Sequence, residues 1–370
     1  MTHQPRVSRR TVLAGLSAGA LASAMLWGRA RAAAPLTVGF IYVGPKDDHG
    51  YNQAHAAGAA AVKAMGVKVV EEERVPETVA VEETMESMIN LDGATLLFPT
   101  SFGYFDPHIV KEAKKCPDVA FLHCGGLWHE GLPTNVHSYF GYIDEAEYLS
   151  GIVAAHVTKA KKFGFVATKP IPQVLRNINA FTLGARSIDP TVSTQVIFTG
   201  DWSMPVKEAE ATNSLADQGV DVVTCHVDSP KVVIETAEKR GLYTCGYHAS
   251  QAALAPNGYL TGAEWNWESL YPSLVNDFEA GKPIPGLVRG GLKAGIVKTS
   301  PYAALVPDAA KKAADALKAK FMGDGFAIFV GPLKDNKGNV VIDAGATRLQ
   351  TDIELEKMSY LVEGVIGSAT

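Results

Sequence analysis

The sequence predicts an α/β protein built from two doubly wound lobes, each containing a parallel sheet. From residue 36 onward, short apolar runs alternate with segments of helical periodicity, and this alternation runs through twice with similar strand counts. Such alternation is typical of parallel sheets covered by helices on both faces. Two lobes of this kind, facing each other, would place the carboxyl ends of both sheets around one cleft.

The first lobe is predicted from β-branched and apolar runs that are separated by helical segments. The second of its helices carries Val81, Met85 and Met88 at helical spacing. The predicted strands span residues 36–43, 67–70, 95–99, 119–123 and 135–142, and the helices span residues 53–65 and 79–91.

The second lobe repeats the pattern after a helix whose apolar face carries Tyr148, Leu149 and Ile152. Each of its strands ends in a polar or aromatic loop, as expected for loops that line a ligand crevice. The predicted strands span residues 163–167, 195–198, 220–225 and 242–246, and the helices span residues 144–159 and 173–188.

The remaining chain is expected to cross back near residues 263–267 and again near residues 290–293, because its last elements still need a sheet. Crossings of this kind act as hinges. A Gly-Pro-rich stretch at residues 331–339 lies between two apolar runs and predicts a hairpin. The predicted lobes comprise residues 36–142 plus 264–292 and residues 143–263 plus 293–370.

The first 32 residues predict a removable export signal. Arg9 and Arg10 precede an uncharged Ala/Gly/Leu run at residues 11–28, and a small-x-small cleavage signal follows at residues 30–32. The stretch around Arg9 and Arg10 looks like a twin-arginine signal, which implies export of a folded protein to the periplasm. The run is too rich in Gly, Ala and Ser for a retained membrane helix.

Removal of this leader makes the protein strongly acidic. It takes away five arginines and no acids, so the formal net charge moves from −5 to −10. An acidic protein is a poor candidate for binding nucleic acid or anionic membranes. We therefore expect no nucleic-acid partner and no direct membrane insertion.

Four cysteines allow disulfides in an oxidising compartment. Cys225 and Cys245 lie on predicted neighbouring strands, so a bridge between them is the first choice, and four isolated buried thiols are the alternative. Cys116 and Cys124 are the other two.

The predicted loop ends are rich in aromatic rings and poor in catalytic pairs. Flat rings and a few hydrogen-bonding groups suit a planar heterocycle held between two faces. We expect the rings to come from Tyr51, Trp202, Tyr247, Trp265 and Trp267, and the polar contacts from Asp48, Asn52, Asp228, Ser229 and Lys293.

Enzyme hypotheses have less support, and no cofactor or metal is expected. The only G-x-S-x-G pattern lies at residues 15–19 in the leader, and no phosphate-binding glycine motif follows a strand. His226 and Asp228 do not have the spacing of a metal-ligand set. Cys225 and His226 are adjacent on a strand, so they would point to opposite faces.

Several stretches together closely resemble the basic membrane protein (BMP) family. These are substrate-binding components of ABC importers with a type I periplasmic binding fold, and the resemblance covers nearly the whole mature chain. Characterised members bind purine nucleosides, and this chain looks like the nucleobase-binding, adenine-type branch. The resemblance rests on residues 44–51, 171–185, 226–230, 265–267 and 290–293.

The resemblance also implies roles for individual residues. Asp48 resembles the family's polar anchor in the first loop. Tyr51 takes the place of a ring that stacks on the purine, and Trp202 takes the place of the opposing ring. Lys293 falls in the segment where ribose-binding relatives hold the sugar. Asp228 is expected to accept from an exocyclic amine.

Two departures from the branch leave nucleobase and nucleoside open as ligands: the loop at residues 49–53 is closer to the nucleoside branch, and Arg289 stands where an aromatic is usual. The resemblance implies a monomeric periplasmic receptor that closes over a purine-like solute and docks on a membrane permease. The alternatives are a receptor for an amino acid or a sugar, a sensor subunit without transport, or a nucleoside-cleaving hydrolase.

Overall fold

The computed structural model describes residues 36–323 and 326–369. The predicted export signal at residues 1–32 lies outside these ranges. Within them, no helix is both long enough and apolar enough to cross a membrane.

The first part of the chain forms strands from its apolar runs, and β1 is buried at every position. Helix α1 begins directly after the loop at residues 42–50 and is rich in alanine, a strong helix former. The elements are β1 Thr37–Ile41, α1 Tyr51–Ala64, β2 Lys68–Glu72, α2 Val79–Asn90, β3 Leu96–Pro99, α3 Val110–Lys115, β4 Ala120–Cys124 and β5 Val136–Gly141.

The second part repeats the alternation of strands and helices. Every strand and helix predicted from the sequence for the two lobes is confirmed, with ends that differ by no more than two residues. The elements are α4 Asp144–Val157, β6 Lys162–Ala167, α5 Pro172–Arg186, β7 Ser193–Phe198, α6 Pro205–Asp217, β8 Val222–His226, α7 Lys231–Lys239, β9 Tyr243–His248 and β10 Tyr259–Trp265.

The last part of the chain supplies elements to both halves and then a C-terminal segment. Its elements are α8 Trp267–Glu279, β11 Leu287–Gly290, β12 Val297–Thr299, α9 Asp308–Met322, β13 Phe329–Val330, β14 Leu333–Lys334, β15 Val340–Ile342, β16 Thr347–Arg348 and β17 Val365–Ile366, with a short helical turn at Ile353–Lys357.

Two large sheets form the centres of the two lobes. The first has the order β11-β5-β4-β3-β1-β2 and the second the order β12-β10-β9-β8-β6-β7-β17. The strands of the first sheet pair in parallel, whereas in the second sheet β12 runs antiparallel to β10. Both sheets therefore present the carboxyl ends of their parallel strands on one edge, where ligand crevices form.

The chain passes between the sheets near the expected positions. It leaves the first sheet after β5, returns after β10 as α8 packs against α1, and crosses again between β11 and β12. The hairpin predicted around residues 331–339 is confirmed in part: β14, which lies inside that stretch, pairs antiparallel with β15, whereas the apolar run before it, β13, pairs with β16. This pair forms a small sheet of its own and joins neither large one.

The expected disulfide between Cys225 and Cys245 is wrong, because all four thiols are free. The register of β8 and β9 pairs Val223 with Thr244, so Cys225 and Cys245 are offset by one position. Neighbouring strands shifted by one residue direct these two side chains to opposite faces of the sheet.

Helices α4 and α5 approach each other closely through two glycines. A Cβ at Gly184 would lie 2.0 Å from the Tyr148 carbonyl oxygen, and one at Gly151 would lie 2.0 Å from the Phe181 carbonyl oxygen. Both obstacles are backbone atoms, which cannot rotate away. The helices can pack at this distance only because neither position carries a side chain.

We expect Gly184→Ala to destabilise the fold by about 1–3 kcal/mol, the usual range for overpacking a core. Gly323→Ala is the matched control, because a Cβ there meets Ala319 at an ordinary 3.5 Å. Thermal denaturation followed by circular dichroism measures both. Equal midpoints for the two variants would contradict this account of the helix contact.

Glu145 lies beside the last crossing between the lobes. Its Oε2 accepts a hydrogen bond from the Leu292 backbone N–H at 2.8 Å. Burial, assisted by the neighbouring charge of Asp144, raises the pKa of Glu145 to about 7, although the Leu292 N–H opposes the shift. The folded protein therefore binds a proton on Glu145 more tightly than the unfolded chain does.

This shift predicts that Glu145 makes the free energy of unfolding fall as pH rises from about 4.5 to about 7, with a slope of at most about 1.4 kcal/mol per pH unit. Glu145→Gln should remove that component of the slope and raise stability above pH 7. Denaturant titrations at pH 5 and pH 8 measure it, with the exposed Glu83→Gln as the control. An unchanged slope in Glu145→Gln would refute the prediction.

Candidate functional site

A cleft lies between the two lobes at the carboxyl ends of their strands, and it has a deep and a wide part. The wide part is a cavity of about 740 Å³, within the range of small-molecule sites. The deep part, called the deep chamber below, encloses about 30 Å³, which is room for one or two water molecules. Phe102, Gly125, Phe140 and Gln173 line both parts, so the two adjoin.

The deep chamber brings together three of the ten residues predicted for the site. Tyr51 comes from the first lobe, whereas Trp202 and Asp228 come from the second. The two rings expected on opposite sides of a ligand therefore line the same chamber from opposite lobes. A purine ring can enter a chamber this small only if the lobes move apart.

Tyr51 is the first residue of α1 and is fixed at both ends. Its hydroxyl donates to the carbonyl of Thr100, and its backbone N–H donates to the Asp228 carbonyl across the cleft at 2.8 Å. A Cβ on the preceding Gly50 would lie 2.2 Å from that same carbonyl oxygen. Only glycine at position 50 allows the two loops to come this close.

Trp202 lies in the loop after β7, and its ring is half-buried. The Lys169 ammonium lies 5.1 Å from the ring centroid and is paired with Asp201 at 2.8 Å. A cation over the ring uses one face of the indole. Trp202 also lines the deep chamber, which is where a ligand would meet the ring.

Asp228 follows β8, and its backbone joins the two lobes. Its N–H donates to the Trp202 carbonyl at 2.9 Å, while its carboxyl makes no hydrogen bond to the described part of the chain. Burial, together with the negative charge of Asp48, raises the pKa of Asp228 well above its usual range. The higher pKa favours the protonated carboxyl, which can donate as well as accept.

Asp48, Asn52 and Ser229 do not line the chamber and instead hold the first loop together. The Asp48 carboxylate accepts from the backbone N–H groups of Gly50, Asn52 and Gln53 at 2.9 Å each, and from the Asn52 amide at 2.8 Å. The Ser229 hydroxyl donates to the Asp48 carbonyl at 2.9 Å. Both Asp48 oxygens are thus used at the start of α1, where free N–H groups need acceptors.

Tyr247, Trp265 and Trp267 are buried, and they pack behind the chamber rather than lining it. Trp265 stacks on Trp267 with centroids 4.8 Å apart. The Tyr247 hydroxyl accepts from the Asn177 amide at 2.9 Å. Lys293 is exposed and is not among the residues that line either part of the cleft.

The chamber also contains His226 and His248, which the sequence analysis did not select. Tyr247 and His248 are consecutive in β9, and their ring centroids lie 3.9 Å apart, so the two side chains are in contact. Of this pair the sequence predicts Tyr247 in the site, whereas the structure places His248 in the chamber. His248 has φ of +69°, a left-handed conformation that is uncommon outside glycine and is often found at functional sites.

The wide cavity is bordered by a clasp formed by Arg176, Arg289 and Glu356. Arg176 belongs to α5 in the second lobe, Arg289 to β11 in the first, and Glu356 to the C-terminal segment. The Glu356 carboxylate pairs with Arg176 Nη1 at 2.7 Å and with Arg289 Nη1 at 2.5 Å. Arg176 also pairs with Asp144 at 3.2 Å. The clasp therefore ties both lobes to the C-terminal segment beside the cleft.

The sequence predicts no metal site at His226 and Asp228. Among residues 36–323 and 326–369, no group of three or more His, Cys, Asp or Glu side chains is arranged to hold a metal ion. Both Nδ1 and Nε2 of His226 face protein partners, the Asn177 amide at 2.9 Å and the Tyr247 hydroxyl at 3.3 Å.

Comparison with known proteins identifies a family that this chain matches. Residues 36–325 match the family described as ABC transporter substrate-binding protein PnrA-like (Bmp). A purine-binding protein of Brucella abortus is 35% identical over 348 residues, covering 93% of this chain and 97% of the relative. A putative ABC transporter glucose-binding protein of Haloferax volcanii is 30% identical over 272 residues, covering 74% of this chain and 65% of the relative.

The solved structure of an ABC transporter solute-binding protein from Conexibacter woesei has the same fold. It matches with a TM-score of 0.65 at 24% identity and covers 77% of this chain and 95% of that one.

We expect Glu356→Ala to lower the free energy of unfolding by about 1–3 kcal/mol, because it leaves the guanidinium of Arg289 without its carboxylate. It should also speed hydrogen exchange in residues 350–357. The matched control is Glu354→Ala in the same segment, whose pair with Lys357 is exposed and should contribute less than about 1 kcal/mol. Equal effects of the two substitutions would show that the clasp does not hold the segment.

Proposed function

The chain belongs to the Bmp family of PnrA-like ABC transporter substrate-binding proteins, and from this premise we propose that its solute is a purine nucleobase or nucleoside. The protein is a solute receptor of an ABC importer with a type I periplasmic binding fold. Receptors of this family bind a small molecule outside the cytoplasm and deliver it to a membrane permease. The identity of the solute is the part that we propose.

One observation carries the proposal: Tyr51 and Trp202 line the same chamber from opposite lobes. Two aromatic rings across a cleft suit a flat solute, since stacking contributes about 1–3 kcal/mol per base in nucleic-acid binders. The carboxyl of Asp228 provides a polar group in the same chamber. The relative from Brucella abortus, whose name states purine binding, supports the same solute class.

Closure of the cleft is the proposed mechanism of signalling to the permease. We assign residues 36–142 plus 264–292 and residues 143–263 plus 293–370 to the two moving halves. A solute that touches both halves only in the closed form shifts the equilibrium toward that form. The contact between Tyr51 N–H and the Asp228 carbonyl at 2.8 Å joins the two halves in this form of the cleft.

The proposed oligomeric state, location and export route follow from the protein family and from the sequence. The protein is a monomer in the periplasm, exported by the twin-arginine route, and it performs no chemistry on its solute. Lys293 lies outside both parts of the cleft. The residues that support the chamber from behind or at its edge rather than stacking on the solute are Asp48, Asn52, Ser229, Tyr247, Trp265 and Trp267.

A sugar is the second candidate solute, because one relative carries the name of a putative glucose-binding protein. Mass spectrometry of the small molecule released on denaturation distinguishes the two classes. Titration calorimetry with adenine, adenosine, inosine and glucose then gives the affinities. Binding of glucose with no purine binding would reject the proposal, and release of free base from adenosine would indicate a nucleoside-cleaving enzyme.

Trp202→Ala is expected to weaken purine binding by roughly tenfold or more, on the scale of one lost stacking face, while the protein stays folded. Trp202→Phe keeps a flat ring and should retain most of the affinity. Titration calorimetry measures both variants. If Trp202→Ala binds purines as tightly as the unchanged protein, Trp202 is not part of the site.

A further inference from the structure

His248 lies where the second sheet meets the deep chamber. It is the last residue of β9, is 2% exposed, and lines the chamber together with Tyr51 and Asp228. The edge of the Tyr51 ring faces it at a centroid distance of 5.3 Å. Its ring is therefore fixed by packing and shares a wall with the groups proposed to hold the solute.

The hydrogen bonds of His248 define which nitrogen carries its proton. The Trp265 indole N–H donates to His248 Nδ1 at 2.8 Å, and an indole nitrogen can only donate. Nδ1 must then be an acceptor without a proton. Burial lowers the pKa of His248 well below its usual range, with further lowering from His226 and His55. The ring is thus neutral, and its proton lies on Nε2.

This Nε2–H is a buried donor without a well-aligned partner. Within residues 36–323 and 326–369, no acceptor lies in hydrogen-bonding geometry with His248 Nε2, although the Val227 backbone lies close enough to the ring to raise its pKa. Buried polar groups in native proteins are nearly always paired. A donor kept unpaired at the wall of a ligand cleft indicates an acceptor supplied from outside the chain.

The other chamber histidine does not have this property. His226 has protein partners at both ring nitrogens, so it has no nitrogen left for a solute. His55 also has an unpaired Nε2, but its ring stacks on Trp267 at 5.5 Å and does not line the chamber. Among these three histidines, only His248 combines an unpaired nitrogen with a place at the cleft.

We propose that His248 Nε2–H is a specificity-determining donor that selects a solute with an unsubstituted ring nitrogen or carbonyl at that position. The proposal rests on the proposed purine binding and adds the chemistry that the solute must present. With the Asp228 carboxyl in the same chamber, the complementary solute edge carries an acceptor for His248 and a second polar group for Asp228. The ring edges of purines offer such pairs.

The test is titration calorimetry with adenine and its 1-deaza, 3-deaza and 7-deaza analogues, each of which lacks one ring nitrogen. The unchanged protein should bind one of these analogues about 10- to 100-fold more weakly than adenine, the usual cost of leaving a buried donor unpaired. In His248→Asn that difference should disappear. Asparagine tolerates the left-handed backbone at this position, but it is too short to reach the same acceptor.

A second and a third variant complete the test. His248→Gln returns an amide N–H at a similar reach and should restore part of the discrimination. His55→Gln is the matched control, since it alters a buried histidine with an unpaired nitrogen outside the chamber and should leave discrimination unchanged.

The outcomes separate this inference from the proposed function. If adenine and the other purines do not bind, the proposed function fails. If adenine binds but the analogues show the same affinity pattern in His248→Asn as in the unchanged protein, the inference is overturned and the function stands. Should His248→Asn not fold, Trp265→Phe replaces it, because loss of the indole donor frees Nδ1 to take the proton. Reduced discrimination in Trp265→Phe supports the inference, and unchanged discrimination overturns it.

Discussion

The spacing of the two lobes depends on one close backbone contact. The Tyr51 N–H donates to the Asp228 carbonyl at 2.8 Å. The same carbonyl leaves no room for a side chain at position 50, where the chain has glycine. Asp48 stabilises the first loop because its carboxylate accepts hydrogen bonds from the free N–H groups at the start of α1. This contact brings a residue of each lobe to the same chamber, and the width of the chamber follows from it.

Much of the fold could be predicted from the sequence, because it follows from local periodicity. Buried parallel strands are short apolar runs, and loops at their carboxyl ends line the crevice by topology alone. The site could be predicted only in part. Tyr51 and Trp202 line the chamber, but Tyr247 and Asp48 do not, because Asn177 holds the Tyr247 hydroxyl behind the chamber and Asp48 caps the start of α1. The predicted disulfide between Cys225 and Cys245 is wrong because the register of β8 and β9, which offsets the two residues by one position, cannot be inferred from strand positions.

The chamber holds ionisable side chains but little charge. Burial lowers the pKa of His226 to about 3 and raises that of Asp228 well above its usual range, so both shifts favour the uncharged form. Ionised groups would cost far more free energy in this low-dielectric site unless they were paired. Charged groups such as Arg176, Arg289 and Glu356 lie instead at the wide part, where they pair with one another. A neutral solute is therefore the better match for the deep part.

The four unpaired thiols have a consequence for how the protein is made. Cys124, Cys225 and Cys245 are buried within strands and form no crosslink, so no disulfide contributes to the stability of either sheet. Assembly of the chain then needs no oxidant and no thiol-exchange catalyst. The same native state is accessible on either side of the cytoplasmic membrane, whether the thiol–disulfide redox potential of the compartment is reducing or oxidising.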